Sequence, residues 1–194
     1  MPLLVAQVGD PVLRELARPL SIGEVRGPEI RRLIDEMRET MRAAPGVGLA
    51  ASQVGHAVQL VVIEDRADYH QDVPPDQLLA RERKPVPFQV LINPEIVWQS
   101  DETKVFFEGC LSLAGFAAIV PRARSVRVTY LDEHASPRSV DATGWYARIL
   151  QHEVDHLQGG LYVDRMASRS FTSLDNLARH WKNLPPAELL AKLE

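Results

Sequence analysis

The sequence predicts one α+β domain in which antiparallel β-sheets surround a central helix. Apolar residues recur at helical spacing early in the chain and again near residues 145–156, whereas β-type patterns dominate residues 88–142. With 194 residues, of which 45% are hydrophobic, the chain is long enough to bury one sizeable core. The predicted organisation is therefore a single domain over residues 1–194, in which residues 173–194 form a helical C-terminal tail.

The first long helix is predicted at residues 28–43, because apolar side chains recur there at intervals of three and four. Pro28 suits the first turn of a helix, and Pro45-Gly46 provide a stop. The apolar stripe is the predicted core-facing side of this helix, and its members are Ile30, Leu33, Ile34, Met37 and Met41.

The middle of the chain predicts strands. Residues 58–64 form an apolar run of strand length, whereas residues 65–87 combine many charges with four prolines and predict a surface loop. Further strands are predicted at residues 88–98, 104–109, 125–132 and 136–142, with a turn at His134–Pro137. The central helix follows, and a short helical segment at residues 173–183 is predicted to end before Pro185-Pro186.

Composition argues against several classes of protein. The formal net charge is −4, so no basic field indicates a nucleic-acid partner, and no apolar run reaches membrane-spanning length. The first residues, MPLLVAQVGDPVLREL, contain neither the basic region nor the long apolar stretch of a secretory signal. A single cysteine cannot form an internal disulfide, which favours a reducing compartment. We expect a bacterial cytoplasm, with a trimmed organellar form as the alternative.

Residues 152–156 read HEVDH and fit the pattern H-E-x-x-H. On a helix this spacing places His152 and His156 on one face, together with Trp145 and Ile149. Both imidazoles can then reach one metal ion. The central helix is therefore the predicted carrier of a metal site, and the site needs a third ligand.

The third ligand has several candidates. The metzincin extension of the motif requires a histidine where this chain has Tyr162, so that type of site is disfavoured. Downstream carboxylates are further candidates, and they are Asp164, Asp175, Glu188 and Glu194. We favour Cys110, the only thiol, because a thiolate is a strong ligand for a borderline-soft divalent metal.

Three motifs occur in order along the chain, namely GVGLAASQ at residues 46–53, EGCLS at residues 108–112 and QHEVDH at residues 151–156. Together they resemble the signature motifs of the peptide deformylase family, type 1. The likeness extends from VGDPVLR near the N-terminus to about residue 172. The strings AGFAAIVPR and SRSFTSL resemble the mitochondrial and plant branch, whereas the GLAA and EGCLS forms are usual in bacterial members.

This resemblance implies hydrolysis of the N-formyl group from new polypeptides that begin with formyl-methionine, with release of formate. It also implies one divalent metal ion per chain, held by Cys110, His152 and His156. Fe(II) is the expected working ion, and Zn(II), Ni(II) or Co(II) also suit this set of ligands.

The resemblance assigns roles to three further groups. Glu153 is expected to accept a proton from the attacking water and to return it to the leaving amine. The side-chain amide of Gln53 and the backbone N–H of Leu111 are expected to donate hydrogen bonds to the oxygen that gains negative charge.

The substrate site is expected around the glycines of the first two motifs. The backbone near Gly48 and Gly109 would pair with an extended peptide, and Val47, Trp145 and Ile149 would form the pocket for the methionine side chain. The expected partners are N-formylmethionyl nascent peptides near the ribosome, without direct contact to nucleic acid or membrane. The resemblance to the mitochondrial and plant branch also implies a homodimer.

Glu108 is expected to lie near the metal without binding it, and Arg122 is its predicted charge partner. Asp155 is expected to be an exposed acid on the central helix. The segment LAGFAAI between EGCLS and VPR lacks the arginine that many bacterial members carry there. Peptide anchoring in that segment is therefore expected to differ.

Three other interpretations fit part of the pattern. A zincin-like endopeptidase would take Asp164, Asp175 or Glu188 as the third ligand and would tolerate loss of Cys110. A purely structural metal would require a fourth protein ligand, and the sequence offers no obvious one. An inactive relative of the deformylases is disfavoured, because every expected functional residue is in place.

Overall fold

A computed structural model describes residues 2–44, 46–181 and 184–193, in which two N-terminal helices precede a region rich in strands and helices again dominate from residue 145 onward. The strands are β1 (Gly48–Ala50), β2 (Leu60–Asp65), β3 (Val86–Gln99), β4 (Thr103–Gly109), β5 (Phe116–Ala123), β6 (Ser125–Leu131), β7 (Pro137–Thr143) and β8 (Thr172–Ser173). The helices are α1 (Ile22–Val25), α2 (Pro28–Ala43), α3 (Pro75–Ala80), α4 (Trp145–Leu157), α5 (Leu174–Asn176) and α6 (Pro186–Leu193).

Helix α2 has the bounds that the apolar spacing predicts. Pro28 occupies its first turn, and the buried side chains Leu33, Ile34, Met37 and Met41 lie on one face. The helix ends at Ala43, and the predicted stop at Pro45 lies outside the described residues.

The larger sheet has the order β1-β2-β3-β6-β7, and all of its neighbouring strands are antiparallel. Strand β2 is buried along its whole length, because both faces of the sheet are covered. On one face, Leu60 and Val62 pack in the same cluster as Leu33, Met37 and Met41 of α2.

The other face of this sheet packs against α4, since Val61 and Ile63 share a cluster with Ile149, Leu150 and Leu157. The successive residues of β2 therefore serve two different apolar clusters, as the alternation of side chains along a strand requires.

A smaller antiparallel sheet, in the order β4-β5-β8, lies on the opposite side of α4. The side-chain amide of Gln151 in α4 bonds to the backbone N–H and C=O of Ala123 in β5, at 3.1 and 2.9 Å. Helix α4, which carries HEVDH, is thus held between two sheets. The predicted α+β fold with antiparallel sheets around this helix is confirmed.

Two segments differ from the prediction. Strand β5 was not predicted, because Gly115, Pro121 and three alanines dilute its β-branched pattern. Its pairing with β4 at every position from Thr103 to Gly109 stabilises it. Strand β8 pairs only with Phe116 and Ala117, the first two residues of β5. Pro121 is not paired with β8, so the N–H that proline lacks is not needed on that side of β5.

The predicted loop at residues 65–87 contains the short helix α3, and β3 begins already at Val86. The helical tail predicted at residues 173–194 contains two helical segments, and only the first of them ends before Pro185-Pro186. Residues Leu174–Trp181 are helical, and α6 begins at Pro186 because proline is well tolerated in a first helical turn. Among the described helices, none combines the length and apolar character that crossing a membrane requires.

Candidate active site

The two histidines of HEVDH and the only cysteine meet at one point between the sheets. The ligand atoms of Cys110, His152 and His156 all lie within 4.8 Å of one another, and Cys110 Sγ is 3.3 Å from His156 Nε2. Over residues 2–44, 46–181 and 184–193, no other group of three such side chains could hold a metal ion. The helix brings the histidines together, because positions four apart share a face.

The small sheet positions the cysteine. Strand β4 pairs with β5 up to Gly109, and the chain then turns at Cys110 into the short 3-10 helix Leu111–Leu113. The N–H of Leu113 closes this turn on the carbonyl of Cys110 at 3.0 Å. The thiol therefore stands at the end of a paired strand, opposite the histidine face of α4.

The downstream carboxylates do not reach this point. Asp164 bonds instead to the guanidinium of Arg14, with one pair of atoms 3.1 Å apart, and Asp175 and Glu188 are exposed. Glu194 lies outside the described residues. The endopeptidase alternative, which needs a downstream carboxylate as the third ligand, has no support in this geometry.

The surroundings of the histidines fit a divalent metal. Glu108 Oε2 lies 3.0 Å from His152 Nδ1. The carboxylate accepts a hydrogen bond from Nδ1–H, which leaves Nε2 free as a ligand atom. Burial lowers the pKa of His156 and keeps its imidazole neutral, which is the form that binds metals. One cysteine thiolate and two imidazoles would make up a ligand set typical of Zn(II) or Fe(II).

Glu108 is buried and bonds to two buried arginines. Arg122 contacts it at 2.7 and 2.9 Å, and Arg148 donates to the same carboxylate. Burial alone would raise the pKa of Glu108, but the hydrogen bonds from Arg122 and His152 outweigh it and hold the pKa well below its usual range. Glu108 therefore stays ionised and orients the His152 ring.

The expectation that Asp155 is exposed is wrong. It is only 8% exposed, and it accepts hydrogen bonds from Arg122 at 2.6 Å and from Arg165 at 2.9 Å. The acid points inward because Arg122 has a free side of its guanidinium there after pairing with Glu108.

Sequence reasoning also missed Arg148, which donates to the backbone carbonyls of Val120 and Lys104 as well as to Glu108. A signal for it existed. Arg148 precedes His152 by four residues and so must share its helix face, where an arginine needs a buried anion.

Glu153 is buried beside the cluster, and its Oε2 has no hydrogen-bond partner within the described part of the chain. Burial raises its pKa to about 7. The backbone of Gly48 lies directly against it, since a Cβ at Gly48 would stand 2.3 Å from Glu153 Oε1. Only glycine leaves room for this carboxylate.

Gln53 is buried in the 3-10 turn Ala51–Val54, and its amide is fixed at both ends. The oxygen accepts from the N–H of Ala50 at 2.9 Å, and the nitrogen lies 3.3 Å from Cys110 Sγ and 3.2 Å from Ser112 Oγ. Its N–H groups are therefore aimed at the cysteine and the turn that follows it.

The N-terminal segment ties together the two turns that carry Gln53 and Leu111. Ala6 N–H donates to the carbonyl of Gln53, and Val8 N–H donates to the carbonyl of Ser112, both at 2.8 Å. Between them, the side-chain amide of Gln7 donates to the carbonyl of Leu111 at 2.9 Å. This connection gave no sequence signal.

A cavity of about 450 Å³ opens onto the cluster and has Cys110, His152 and Glu153 in its wall. The residues predicted to contact substrate all line it, and they are Val47, Gly48, Gly109, Trp145 and Ile149. Trp145 is held from behind by the guanidinium of Arg81, 4.9 Å from the ring centroid. The cavity is large enough for a side chain and an extended peptide end.

The site combines an H-E-x-x-H helix, a nearby thiol and a buried glutamate in the wall of a peptide-sized cavity. This combination is typical of metal-dependent hydrolases. Comparison with known proteins gives the family. The family model described as Polypeptide deformylase matches residues 2–171, and the chain belongs to this family. Peptide deformylases are metalloenzymes that remove the N-formyl group from nascent peptides.

The similar proteins come from organelles and from bacteria. Peptide deformylase 1A, chloroplastic, of Solanum lycopersicum is 46% identical over 173 residues, which are 89% of this chain and 62% of that protein. Peptide deformylase 1A, chloroplastic/mitochondrial, of Arabidopsis thaliana is 46% identical over 193 residues, which are 100% of this chain and 70% of the Arabidopsis protein.

A solved structure shows the same fold. The class I type b peptide deformylase of Acinetobacter baumannii, with Met-Ala-Ser bound, has a TM-score of 0.76 and 34% identity. The match covers 86% of this chain and 99% of that one.

Proposed function

We propose that this chain hydrolyses the N-formyl group from the formyl-methionine of nascent polypeptides, with Cys110, His152 and His156 as ligands of one divalent metal ion. The observation that carries the proposal is the meeting of their three ligand atoms within 4.8 Å of one another, beside a cavity whose wall contains Cys110, His152 and Glu153. Membership of the deformylase family supplies the reaction.

The ligand set favours Fe(II) as the working ion, and it also suits Zn(II), Ni(II) and Co(II). When bound there, a divalent cation supplies Lewis acidity toward a water molecule and toward the formyl oxygen. The chain contributes a neutral His156, a His152 held by Glu108, and the sulfur of Cys110, which would bind the ion as a thiolate. A ligand set of three protein groups leaves room for the reacting molecules.

Glu153 is proposed as the general base. Glu153 lies in the cavity wall, and its Oε2 has no hydrogen-bond partner among the described residues, so this oxygen is free to take a proton from the attacking water. The water oxygen forms a bond to the formyl carbon. The carbon–nitrogen bond then breaks, and Glu153 delivers the proton to the departing amine as formate leaves.

Gln53 and Leu111 are proposed to stabilise the negative charge on the formyl oxygen. The amide of Gln53 is fixed by Ala50 and reaches the vicinity of Cys110, and the N–H of Leu111 belongs to the residue after Cys110. The hydrogen bond from Ala50 holds the amide of Gln53 in place before the substrate arrives. One such donor is worth about 3–4 kcal/mol in the transition state.

The peptide is proposed to bind as an extended strand between the backbones at Gly48 and Gly109, with its methionine side chain against Val47, Trp145 and Ile149. All five residues line the cavity. The structure of the Acinetobacter baumannii relative contains Met-Ala-Ser, a tripeptide that begins with methionine. Binding of such a peptide in the same cavity accounts for the apolar wall beside the metal ligands.

Glu108 and Arg122 are proposed to support the site from behind, because their ion pair fixes the carboxylate that holds His152. We also propose that residues 1–194 act as one catalytic domain. Within the tail at residues 173–194, Leu189 is buried, which ties α6 to the rest of the fold.

The cellular setting is proposed from the relatives. Nascent chains carry their formyl group as they leave the ribosome, so we propose that the enzyme acts close to it. Relatives are found in bacteria and in organelles, and we propose a bacterial cytoplasm for this chain, with the organellar compartment as the second candidate. A homodimer is proposed from the likeness to the mitochondrial and plant branch.

The test is formate release from formyl-Met-Ala-Ser by anaerobically prepared protein, measured beside the Cys110→Ala variant with metal content determined on both. We expect rapid release by the parent, with metal and activity both lost in the variant. A metal-loaded parent that releases no formate contradicts the proposed reaction. A variant that keeps its metal contradicts the assignment of Cys110 as a ligand.

A further inference from the structure

Tyr162 is a buried residue to which the proposed mechanism gives no task. It is 1% exposed, and its hydroxyl has no hydrogen-bond partner within residues 2–44, 46–181 and 184–193. A buried tyrosine hydroxyl usually has a partner, because leaving it without one costs free energy. The surroundings of this unpaired donor indicate which acceptor it serves.

The turn after α4 brings Tyr162 back toward the metal ligands. Gly159 has a φ of +72°, and a Cβ there would stand 2.6 Å from a backbone carbonyl of the N-terminal segment, so the turn requires glycine. The side chain of Asp164 then accepts from the N–H of Leu161 at 2.8 Å and fixes the 3-10 turn that follows. Tyr162 stands six residues after His156, where the metzincin pattern has its third histidine ligand. In this chain a phenol occupies that position.

The ring of Tyr162 lies near two of the three proposed ligands. It is nearly parallel to the imidazole of His152, with an interplanar angle of 19° and centroids 6.4 Å apart. Cys110 packs against the apolar cluster that contains Tyr162. Burial and the negative charges of Cys110 and Glu108 raise the pKa of Tyr162 to about 12. At neutral pH the side chain therefore stays a phenol, which donates a hydrogen bond and is a poor metal ligand.

Two charged acceptors lie in this region, and they differ in how fully they are already used. Glu108 accepts hydrogen bonds from two arginines and from His152. The sulfur of Cys110 accepts from the side-chain amide of Gln53 at 3.3 Å. A thiolate that binds a metal carries negative charge, and further hydrogen bonds stabilise that charge. The sulfur is therefore the acceptor that can take the hydroxyl of Tyr162.

We propose that the hydroxyl of Tyr162 donates a hydrogen bond to the thiolate of Cys110 when the site holds its metal ion. Tyr162 is then a positioning residue, which fixes the sulfur and limits the electron density that the sulfur gives to the metal. Hydrogen bonding around a cysteine ligand tunes the affinity and the redox properties of metal sites in this way. The inference rests on the proposed function, in particular on Cys110 as a ligand, and it adds a residue outside the three motifs.

The experiment compares the parent with Tyr162→Phe, which removes only the hydroxyl. Both proteins are loaded with Co(II), because the charge-transfer absorption from a thiolate to Co(II) reports directly on the sulfur. Competition with a chelator measures the affinity for Co(II), and thermal unfolding of the metal-free proteins checks that each is folded. Tyr146→Phe is the matched control, because the hydroxyl of Tyr146 bonds to Gln89 at 2.7 Å and Tyr146 does not line the cavity.

We expect the charge-transfer band of Tyr162→Phe to move to longer wavelength, because a sulfur without this hydrogen bond gives up an electron more easily. The affinity of this variant for Co(II) should fall roughly tenfold. Without metal, Tyr162→Phe should be at least as stable as the parent, because it loses a buried hydroxyl that is unpaired within the described part of the chain. Tyr146→Phe should keep the parental band and the parental affinity.

A Tyr162→Phe protein that keeps the parental band overturns the inference, and so does a shift of the same size in Tyr146→Phe. Failure of the proposed function gives a different result. If Cys110 is not a ligand, the Co(II)-loaded parent has no thiolate band, and the inference falls with that assignment. If the band is present but the parent releases no formate from formyl-Met-Ala-Ser, the proposed reaction is wrong, and the comparison of the bands still decides the role of Tyr162.

Discussion

A single methyl group at Gly48 should disable the enzyme without removing its metal. A Cβ at this position would stand 2.3 Å from Glu153 Oε1, 2.7 Å from Cδ and 2.9 Å from Cγ, whereas ordinary contacts begin at 3.4 Å. Restoring a normal contact requires the carboxylate to move by roughly 1 Å. All of the close atoms belong to a side chain, so Gly48→Ala should displace the carboxylate and leave the backbone in place.

The expected loss follows from that displacement. A shift of about 1 Å in a catalytic group costs on the order of 100-fold in rate. Glu153 is not among the three clustered ligand atoms, so metal content should stay at the parental level. The assay is formate release at saturating formyl-Met-Ala-Ser, together with metal analysis and thermal unfolding of the same samples.

The matched control is Gly23→Ala, because the nearest atom to its Cβ is 4.0 Å away and the residue lies in α1, outside the cavity. It should retain parental activity. If Gly48→Ala keeps more than about a third of the parental kcat, the close packing of Gly48 against Glu153 does not position the base, and the reasoning fails.

Three further variants test the site. Glu153→Gln should keep the metal but lose at least 100-fold in kcat, because an amide cannot accept the proton; metal analysis and formate release measure this. Gln7→Leu should lower kcat several-fold at unchanged KM, since it frees the carbonyl of Leu111, and steady-state kinetics check it. Glu108→Gln should destabilise the fold by about 3–5 kcal/mol near neutral pH, because Arg148 loses its buried anion and Arg122 keeps only Asp155, and urea unfolding measures this.

The pH dependence of Glu108→Gln has a definite sign. Hydrogen bonds hold the pKa of Glu108 below its ordinary value of 4.5, so its stabilising effect is complete above that pH and is lost as the pH falls toward the folded-state pKa. Unfolding free energies of parent and variant should therefore converge in acid. If the unfolding free energies of parent and Glu108→Gln stay equally far apart as the pH falls, this account of Glu108 is contradicted. Parental kinetics in Gln7→Leu would contradict the role of Gln7, and full activity in Glu153→Gln would contradict the role of Glu153.

The secondary-structure elements that were predicted correctly are those whose signals lie within one continuous stretch of sequence. Helix α2 carries its apolar stripe, its first-turn proline and its stop within one stretch of chain, and its bounds were predicted as observed. Strand β5 was missed because its stability comes from pairing with β4, and this pairing cannot be recognised from the residues of β5 alone. Within the predicted helical tail at residues 173–194, the separate start of α6 was not predicted, because a proline pair was interpreted as an end although it also suits a beginning.

The same distinction applies to the site. HEVDH and EGCLS identify the residues that meet at the metal cluster, because their chemistry is visible in single letters. The inward direction of Asp155 was not visible, since it depends on where Arg122 arrives from a separate sheet. The contact of Gln7 with Leu111 joins residues 104 positions apart, and nothing in either local pattern predicts it.

Two buried glutamates flank the three proposed metal ligands, and their different partners account for the different tasks proposed for them. Glu108 has Arg122 and Arg148 as cations and holds His152, so it stays ionised and immobile. Glu153 is equally buried but has no arginine bonded to it, and its Oε2 has no hydrogen-bond partner among the described residues. Burial raises its pKa to about 7, which lets it bind and release a proton near neutrality. Each task therefore depends on the surroundings of the carboxylate: arginine partners hold the charge of Glu108, and the unpaired Oε2 of Glu153 can exchange a proton.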